Sequence, residues 1–407
     1  MELLKGLRVS LFLLFVVFAA SANVVEDDSS STKATAPVKK WYESLNIRGY
    51  AQLRYNGLIQ TNPDLECAQC DRSWGGDPEF FFRRIRLVFY GNVHERVYVY
   101  IQPDFASSPA SGRLHFAQIR DAYFDLSLDK KKEFRFRVGQ SKVPFGFENL
   151  QSSQNRIPLD RHDGINSAVA NERDMGVFFY YAPQHIRKRL SWLVSSGLKG
   201  SGDYGVLGLG VYNGQLANSP ELNRNKHVVG RISYPFLLPG GQIIEPGIQA
   251  YRGFYVLPSR SEITQENSPS EFLDQRAAAS FIVYPQPLGI QAEYNIGTGP
   301  RFNPETMSIE QGRLHGGYVQ VSYFIRSGGS LFIPFARWHY FDGGKKHELD
   351  ARSYVVNEQE IGFEWQPNPF VELVAMYTFS DRTFEDALRP INRQAGSLLR
   401  LQLQVNF

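Results

Sequence analysis

The sequence predicts an all-β fold, a transmembrane antiparallel β-barrel of sixteen strands. Three features support it. The segment Leu398–Phe407 alternates apolar and polar side chains without a break, and similar segments recur from residue 44 onward. No segment beyond the N-terminal region is apolar over the roughly 20 residues that a membrane-spanning helix needs. Side chains alternate across a strand, so one face of the last segment suits lipid and the other suits water. An edge strand of a soluble β-sandwich is the alternative for this segment alone.

The N-terminal region has the pattern of a Sec signal peptide. Lys5 and Arg8 precede an apolar run over residues 9–18, and a small-x-small site ends at Ala22. The run is too short to span a bilayer, so a membrane anchor is the weaker alternative. We predict a signal peptide over residues 1–22, cleaved near Ala22. A polar periplasmic leader over residues 23–43 and a barrel over residues 44–407, in a bacterial outer membrane, would follow.

Composition fits a barrel with an aqueous interior. Aromatic residues make up 14% of the chain, yet the mean hydropathy of -0.32 is that of a water-soluble protein. In a barrel only alternate strand residues must be apolar, which reconciles the two values. The chain has 44 basic and 41 acidic residues, a formal charge of +3 that excludes neither an anion nor a cation pathway.

The strand count depends on one segment. Residues 190–197 also resemble a strand and would give seventeen, but a bacterial barrel with both ends in the periplasm needs an even number. Short periplasmic turns should alternate with long surface loops along a barrel chain. This alternation fails only between residues 183 and 203, so we predict one long periplasmic connection there. Eighteen strands are the alternative. The predicted strands cover residues 44–55, 80–92, 95–105, 114–127, 132–141, 173–182, 204–212, 226–236, 241–256, 272–284, 287–297, 313–325, 329–341, 353–366, 369–380 and 395–407.

Several segments resemble the phosphate-selective porin O and P family, in the family's order along the chain. They are GQSKVPFGFE at 139–148, FRRIR at 82–86, DAYFD at 121–125, RDMG at 173–176, GVYNG at 210–214, GRISYP at 230–235 and GYVQVSY at 317–323. The resemblance implies a sixteen-stranded outer-membrane porin, typically a homotrimer with one pore per subunit and arginines along the pore. It does not identify the solute, because many chains with this pattern need not prefer phosphate.

The longest predicted surface loop is the third, over residues 142–172. In porins of sixteen strands this loop commonly folds into the barrel, so it is the candidate constriction; the alternative is that it projects outward. If the loop forms a constriction, its charges would orient polar solutes. The alternative is that these charges are simply solvated. The basic members are Lys142, Arg156, Arg161, His162 and Arg173, and the acidic members are Glu148, Asp160, Asp163, Glu172 and Asp174.

Strand alternation turns ten arginines toward the lumen: Arg48, Arg54, Arg84, Arg86, Arg135, Arg137, Arg231, Arg276, Arg337 and Arg400. A charge facing lipid near the midplane costs roughly 2 to 4 kcal/mol, which favours inward placement. A guanidinium stays charged and can donate two parallel hydrogen bonds to a carboxylate or phosphate. We expect Arg84, Arg86, Arg135 and Arg137 to be the main anion-binding group, because few acids on their strands could neutralise them.

Inward acids leave an alternative open. Cross-strand pairs between these acids and the arginines would produce a stiff, nearly balanced wall instead of an anion-binding ladder. The acids are Asp104, Asp121, Asp125, Glu293, Glu360, Glu364 and Glu372.

Cys67 and Cys70 lie in the first predicted surface loop. Two thiolates do not complete a tetrahedral zinc site, and a redox role would need a thioredoxin-like context that the sequence lacks. In an oxidising compartment we expect a disulfide within the loop. We predict no catalytic residue, metal or cofactor.

These patterns together predict passive diffusion of small hydrophilic solutes, with a preference for phosphate or other small anions. The alternatives are an outer-membrane barrel enzyme of the phospholipase or protease type and a plugged structural or adhesive barrel. The expected partners are outer-membrane lipid, barrel-assembly machinery that reads the C-terminal strand, further copies in a homotrimer, and small anions. We expect no nucleic-acid partner.

Overall fold

The computed structural model describes residues 40–56, 58–67, 70, 74–75, 78–106, 115–170, 172–264 and 270–407. The predicted signal peptide and the predicted leader up to residue 39 lie outside the described residues. A single turn of 3-10 helix, Trp41–Ser44, leads into the first strand. No helix in the described part of the chain is long and apolar enough to cross a membrane.

The described residues form an antiparallel sheet that closes on itself, because the first strand pairs with both the second and the last. The strands are β1 (Leu45–Tyr55), β2 (Phe80–His94), β3 (Val97–Asp104), β4 (Gln118–Ser127), β5 (Phe134–Lys142), β6 (Arg173–Tyr181), β7 (Leu207–Tyr212), β8 (His227–Ser233), β9 (Phe236–Leu237), β10 (Ile243–Val256), β11 (Glu271–Val283), β12 (Leu288–Asn303), β13 (Ser308–Tyr323), β14 (Ile325–Ser327), β15 (Ser330–Gly344), β16 (Ser353–Asn368), β17 (Val371–Glu385) and β18 (Arg393–Asn406).

Sixteen of these strands build the barrel wall, which confirms the predicted fold. The short β9 and β14 only extend hairpins, by pairing with β10 and β15. Each of the sixteen predicted segments overlaps one wall strand, because the alternation of side chains marks strands reliably when one face meets lipid. The wall strands closest to the termini, β1 and β18, pair in register from Tyr50 with Asn406 to Tyr55 with Leu401.

Residues 190–195 belong to a helix instead of a strand, and residues 196–197 form the turn that follows it. The helices are α1 (Phe147–Leu150), α2 (Asp163–Ala168) and α3 (Gln184–Ser195), with a further 3-10 turn at Leu349–Ala351. Helix α3 lies in the connection between β6 and β7, where a long connection was predicted. That connection is at the barrel end that also holds the start of β1 and the end of β18, which we call the terminal end; the opposite end is the loop end.

Three predicted surface loops are shorter than expected. Residues 298–312, 342–352 and 381–394 lie between predicted strands, but strands continue into all three ranges. In the β12–β13 hairpin the pairing continues to Asn303 opposite Ser308. The Gly, Pro and Asn residues over 297–303 are all accommodated in this hairpin ladder. The long wall strands therefore project beyond the apolar band at the loop end.

Candidate functional site: the barrel interior

The predicted wall arginines point into the barrel. All are buried except Arg48, which is half-buried. Their neighbours in sequence, such as Ile47, Phe136 and Ile232, are exposed on the outer face. The alternation of the pleat therefore places these charges as the sequence predicted.

The four arginines expected to be the main anion-binding group are neutralised more than predicted. Arg86 pairs with Asp104 at 2.7 Å. Arg137 pairs with Asp125 at 2.8 Å and donates to both of its carboxylate oxygens. Neither β2 nor β5 carries an acid, as expected, but the partner acids Asp104 and Asp125 lie on the neighbouring strands β3 and β4.

Arg135 is neutralised by the connection that carries α3. Its guanidinium lies 2.7 Å from a carboxylate oxygen of Asp203, which also accepts a hydrogen bond from Arg187 at 2.8 Å. Burial alone would raise the pKa of Asp203, but the two guanidinium groups outweigh burial and hold that pKa well below its usual value. The connection is thus fixed to the wall by a charged cluster.

Arg84 differs from its neighbours. It donates to the amide oxygen of Gln52 at 2.8 Å and has no ion pair within the described residues. Its Nε lacks a hydrogen-bond partner, as does the Nε of Arg83. Arg84 is close enough to Arg83, Arg86 and Arg54 for mutual repulsion. This part of the lumen therefore has an excess of positive charge.

A β-bulge explains why Arg83 also reaches this cluster. Gln52 pairs with Arg84 and the next residue, Leu53, pairs with Phe82, so Arg83 is the extra residue. A bulged residue departs from strict alternation. A second bulge at Arg120 lies between the pairs Gln102–Asp121 and Pro103–Ile119. Sequence reasoning missed Arg83 and Arg120, although two charged residues in succession within an alternating strand are a usable signal.

The third loop, which we call L3 (residues 143–172), folds into the barrel as predicted. Asp160 pairs with Arg54 on β1 at 3.4 Å and also with Arg400 on β18. On other parts of the wall, Glu148 pairs with Arg337 at 2.8 Å and Asp163 pairs with Arg382 at 2.7 Å. The loop is therefore attached to β1, β15, β17 and β18 at once.

The predicted basic residues of the constriction mainly hold L3 in shape. Arg156 and Arg161 lie 3.5 and 3.4 Å from Glu172, and Arg173 pairs with the same carboxylate. Burial lowers the pKa of Arg161 to about 10, although the attraction of Glu172 opposes this shift. Lys142 donates to the backbone carbonyls of Asn149 and Gln151. These groups are within the lumen but few of their donors remain free for a solute.

The connection with α3 closes part of the lumen from the terminal end, which the sequence did not predict. Lys199 pairs with Glu364 on β16 at 2.5 Å. Leu193 and Leu198 are buried in an apolar cluster with residues of L3, including Phe147 and Ile157. Apolar side chains from both segments thus meet inside the barrel.

A cavity of about 540 Å³ remains between L3, the α3 connection and the wall formed by β1–β6. Four tyrosines, Tyr98, Tyr100, Tyr123 and Tyr204, form part of its surface. The Arg137 guanidinium lies 3.9 Å from the centre of the Tyr123 ring. Arg48, Arg135 and Arg137 line the cavity, whereas Arg84 and Arg86 lie outside it.

Asp163, His339 and Glu358 bring ligand atoms within 4.8 Å of one another. Their negative charge is already compensated, because Arg382 pairs with both carboxylates and Lys345 pairs with Asp163. A divalent cation would meet two fixed cations there, so this cluster fits a structural ion network and not a metal site. Cys67 and Cys70 form a disulfide, and Arg83 donates to the Cys70 carbonyl at 3.0 Å.

A closed barrel of sixteen antiparallel strands, with charged side chains inside and a long third loop folded into the lumen, is the architecture of an outer-membrane porin. Residues 64–407 match the family model for phosphate-selective porin O and P. The chain belongs to that family and is a porin-family channel of the outer membrane, not an enzyme.

Solved structures show the same fold at low sequence identity. The chain is 12% identical to OmpF of Salmonella typhi in a complex with daunomycin, with 91% of this chain and 99% of that one covered and a TM-score of 0.56. For the outer-membrane channel DcaP of Acinetobacter baumannii the identity is 13%, the coverage 89% and 97%, and the TM-score 0.54. For the trimer form of OmpT of Vibrio cholerae these values are 9%, 89% and 99%, and 0.53. No curated protein sequence matches the chain.

Proposed function

We propose that the protein is a passive channel for small hydrophilic solutes that favours anions, phosphate among them. The observation that carries this proposal is the charge of the cavity between L3 and the α3 connection. Its lining contains three acids, Asp121, Asp125 and Asp203, against seven basic residues, Arg48, Lys132, Arg135, Arg137, Lys142, Arg173 and Arg187. The family's name, phosphate-selective porin, supports the same preference.

Arg48 and Arg84 are the strongest candidates to bind a passing anion. Arg48 lines the cavity and donates to the Gln154 side chain at 3.0 Å, and it has no ion pair within the described residues. Arg84 lies in the cationic cluster near Arg83 and Arg156. Guanidinium donors would replace part of the hydration shell of an anion at successive weak sites, which permits both entry and release.

L3 and the α3 connection would set the size limit. Both segments occupy the lumen and meet at an apolar cluster, so solutes must pass beside them along β1–β6. A nearly balanced wall with little selectivity is the competing proposal, supported by the ion pairs of Arg86, Arg135 and Arg137.

We also propose that the chain is exported by a cleaved signal peptide, assembled through its C-terminal strand and active as a homotrimer. The signal-peptide pattern of residues 1–22 supports the first step. The similar fold of OmpT, whose structure is described as a trimer form, supports the last. The mass of the purified, folded protein in detergent would test the trimer.

Reversal potentials in planar bilayers test the selectivity. Under a KCl gradient, and again with potassium phosphate, the wild type should show an anion preference that falls in Arg48→Gln and Arg84→Gln. Arg96→Gln, in an exposed turn outside the lumen, is the control. Cation preference in the wild type, or equal potentials in all four proteins, would overturn the proposed anion pathway. A folded protein without conductance would indicate a plugged barrel.

A further inference from the structure

The outer surface of the barrel carries an apolar groove that crosses β7–β12. Two adjoining depressions of about 900 and 560 Å³ share Leu209, Gly230, Ala250, Ala277 and Ile296, so they form one groove. These residues are on the outward face, and the groove is separate from the lumen. Its shape has no role in the proposed solute pathway.

Small residues at matching register positions create the groove. Ala250 on β10 pairs with Gly230 on β8 and with Ala277 on β11. Gly230 also pairs with Leu209 on β7, and Ala277 with Ile296 on β12. One glycine and two alanines therefore form a floor between the larger apolar side chains of Leu209 and Ile296. Side chains opposite one another on adjacent strands lie close together, so the floor is continuous.

A polar row lies directly above the floor, toward the loop end. Arg252 pairs with Gln275, Gln275 with Thr298, and Thr298 with Arg313. The strand spacing places the two arginine backbones about 14 Å apart along the sheet. Both side chains are exposed, and within the described residues neither has an ion pair or a side-chain hydrogen bond. An unpaired arginine on the outer face is tolerated near the membrane interface but is costly at the midplane.

We propose that this groove binds lipid A, the phosphorylated glycolipid of the outer leaflet. The apolar floor and walls would hold an acyl chain, and Arg252 and Arg313 would contact phosphate groups at the mouth. Arginine is suited to phosphate because its planar group donates paired hydrogen bonds. The loop end of an outer-membrane barrel faces outward, which places the mouth in the leaflet that contains lipid A.

The test is lipid binding by the full, folded protein after removal of endogenous lipid. Diphosphoryl lipid A is titrated in detergent and the bound lipid is counted by native mass spectrometry. We expect Arg252→Gln and Arg313→Gln each to weaken binding roughly fivefold, since one interfacial cation is lost. Dephosphorylated lipid A should bind the wild type as weakly as diphosphoryl lipid A binds the double variant.

Ala277→Phe should fill the groove and abolish the acyl contact, whereas Ala336→Phe, on the outward face of β15, should bind lipid A normally. Arg393→Gln, exposed on β18, is the matched charge control. If Ala277→Phe does not fold, the Arg252 and Arg313 variants decide alone, because both side chains are exposed and the apolar floor is unchanged. Unchanged binding in those variants, or equal losses in the controls, would overturn the proposal. A change in oligomer mass in Ala277→Phe without a change in lipid binding would instead assign the groove to a second copy.

Discussion

Glu148 on L3 and Arg337 on β15 are joined inside the barrel, with Arg337 Nη1 donating to Glu148 Oε1 at 2.8 Å. Arg337 also pairs with Glu360 on the neighbouring strand, and Glu148 accepts hydrogen bonds from the backbone and ring of His162. A single carboxylate therefore links the wall to two parts of L3. Because all these groups are buried, water cannot replace the lost partner when one is removed.

Glu148→Gln should loosen L3 while it keeps a side chain of similar size at position 148. The loss of a charged hydrogen bond in a buried network should lower stability by about 2 kcal/mol. Urea unfolding measures this change, and single-channel recordings should show a larger, noisier conductance. Glu310→Gln, in the exposed β12–β13 hairpin, is the control and should change neither quantity. A quiet channel of wild-type conductance in Glu148→Gln would show that Glu148 does not position L3.

Acid should release L3 in the wild type. Burial alone would raise the pKa of Glu148, but Arg337 and His162 outweigh it and lower this pKa from 4.5 to about 2. A carboxylate with a lowered folded-state pKa contributes stability that is complete above the unfolded value and is lost as pH falls. Channel noise should therefore increase as pH drops from 4.5 toward 2. In Glu148→Gln this part of the pH dependence should disappear; if it persists, another group is responsible.

The α3 connection should depend on Lys199. Lys199→Met leaves the buried carboxylate of Glu364 without its cation, near the second buried acid Glu372. Removal of one partner of a buried pair typically costs about 3 to 5 kcal/mol. Denaturant unfolding should show this loss, and conductance should increase as the connection leaves the lumen. The double variant with Glu364→Gln should recover most of the stability, whereas Lys188→Met, exposed on α3, should resemble the wild type.

Barrel closure constrains Gly49. Its N–H donates to the Phe407 carbonyl at 2.6 Å, and its carbonyl accepts from the Phe407 N–H at 2.9 Å. A Cβ at position 49 would lie 2.5 Å from the Phe407 ring and 2.7 Å from the Arg86 carbonyl. Gly49→Val should therefore destabilise the barrel by about 1 to 3 kcal/mol. The folded fraction in a heat-modifiability gel should fall, while Ala51→Val on the same face should fold normally.

The sequence predicts the wall well because lipid on one side and water on the other impose a period of two. The same rule correctly turned Arg54, Arg231 and Arg400 inward. It could not show that Asp125 lies opposite Arg137, since the pairing depends on the register between two strands. Bulges change that register by one residue, and Arg83 reaches the lumen only because of a bulge.

The sequence also could not predict contacts between residues that are far apart along the chain. The residue types in L3 were identified, but its attachment through Asp160 to β1 and β18 joins positions more than a hundred residues apart in sequence. The sequence predicted the position of the α3 connection along the chain. It did not predict that this connection enters the lumen. Its helix has three buried apolar side chains, Ile186, Leu190 and Leu193, and nothing in local periodicity shows which surface covers them.

The pair Arg137–Asp125 distinguishes an anion pathway from a balanced wall. Both side chains line the cavity and form a bidentate pair, so each neutralises the other. Asp125→Asn would leave one cation unpaired and should increase anion preference. Arg137→Gln would leave one carboxylate and should shift the reversal potential toward cations. If solutes pass through this cavity, the two shifts must have opposite signs under the same KCl gradient. Shifts of the same sign, or none in either variant, would place the pathway elsewhere in the lumen, because a charge beside the permeating ion must act according to its sign.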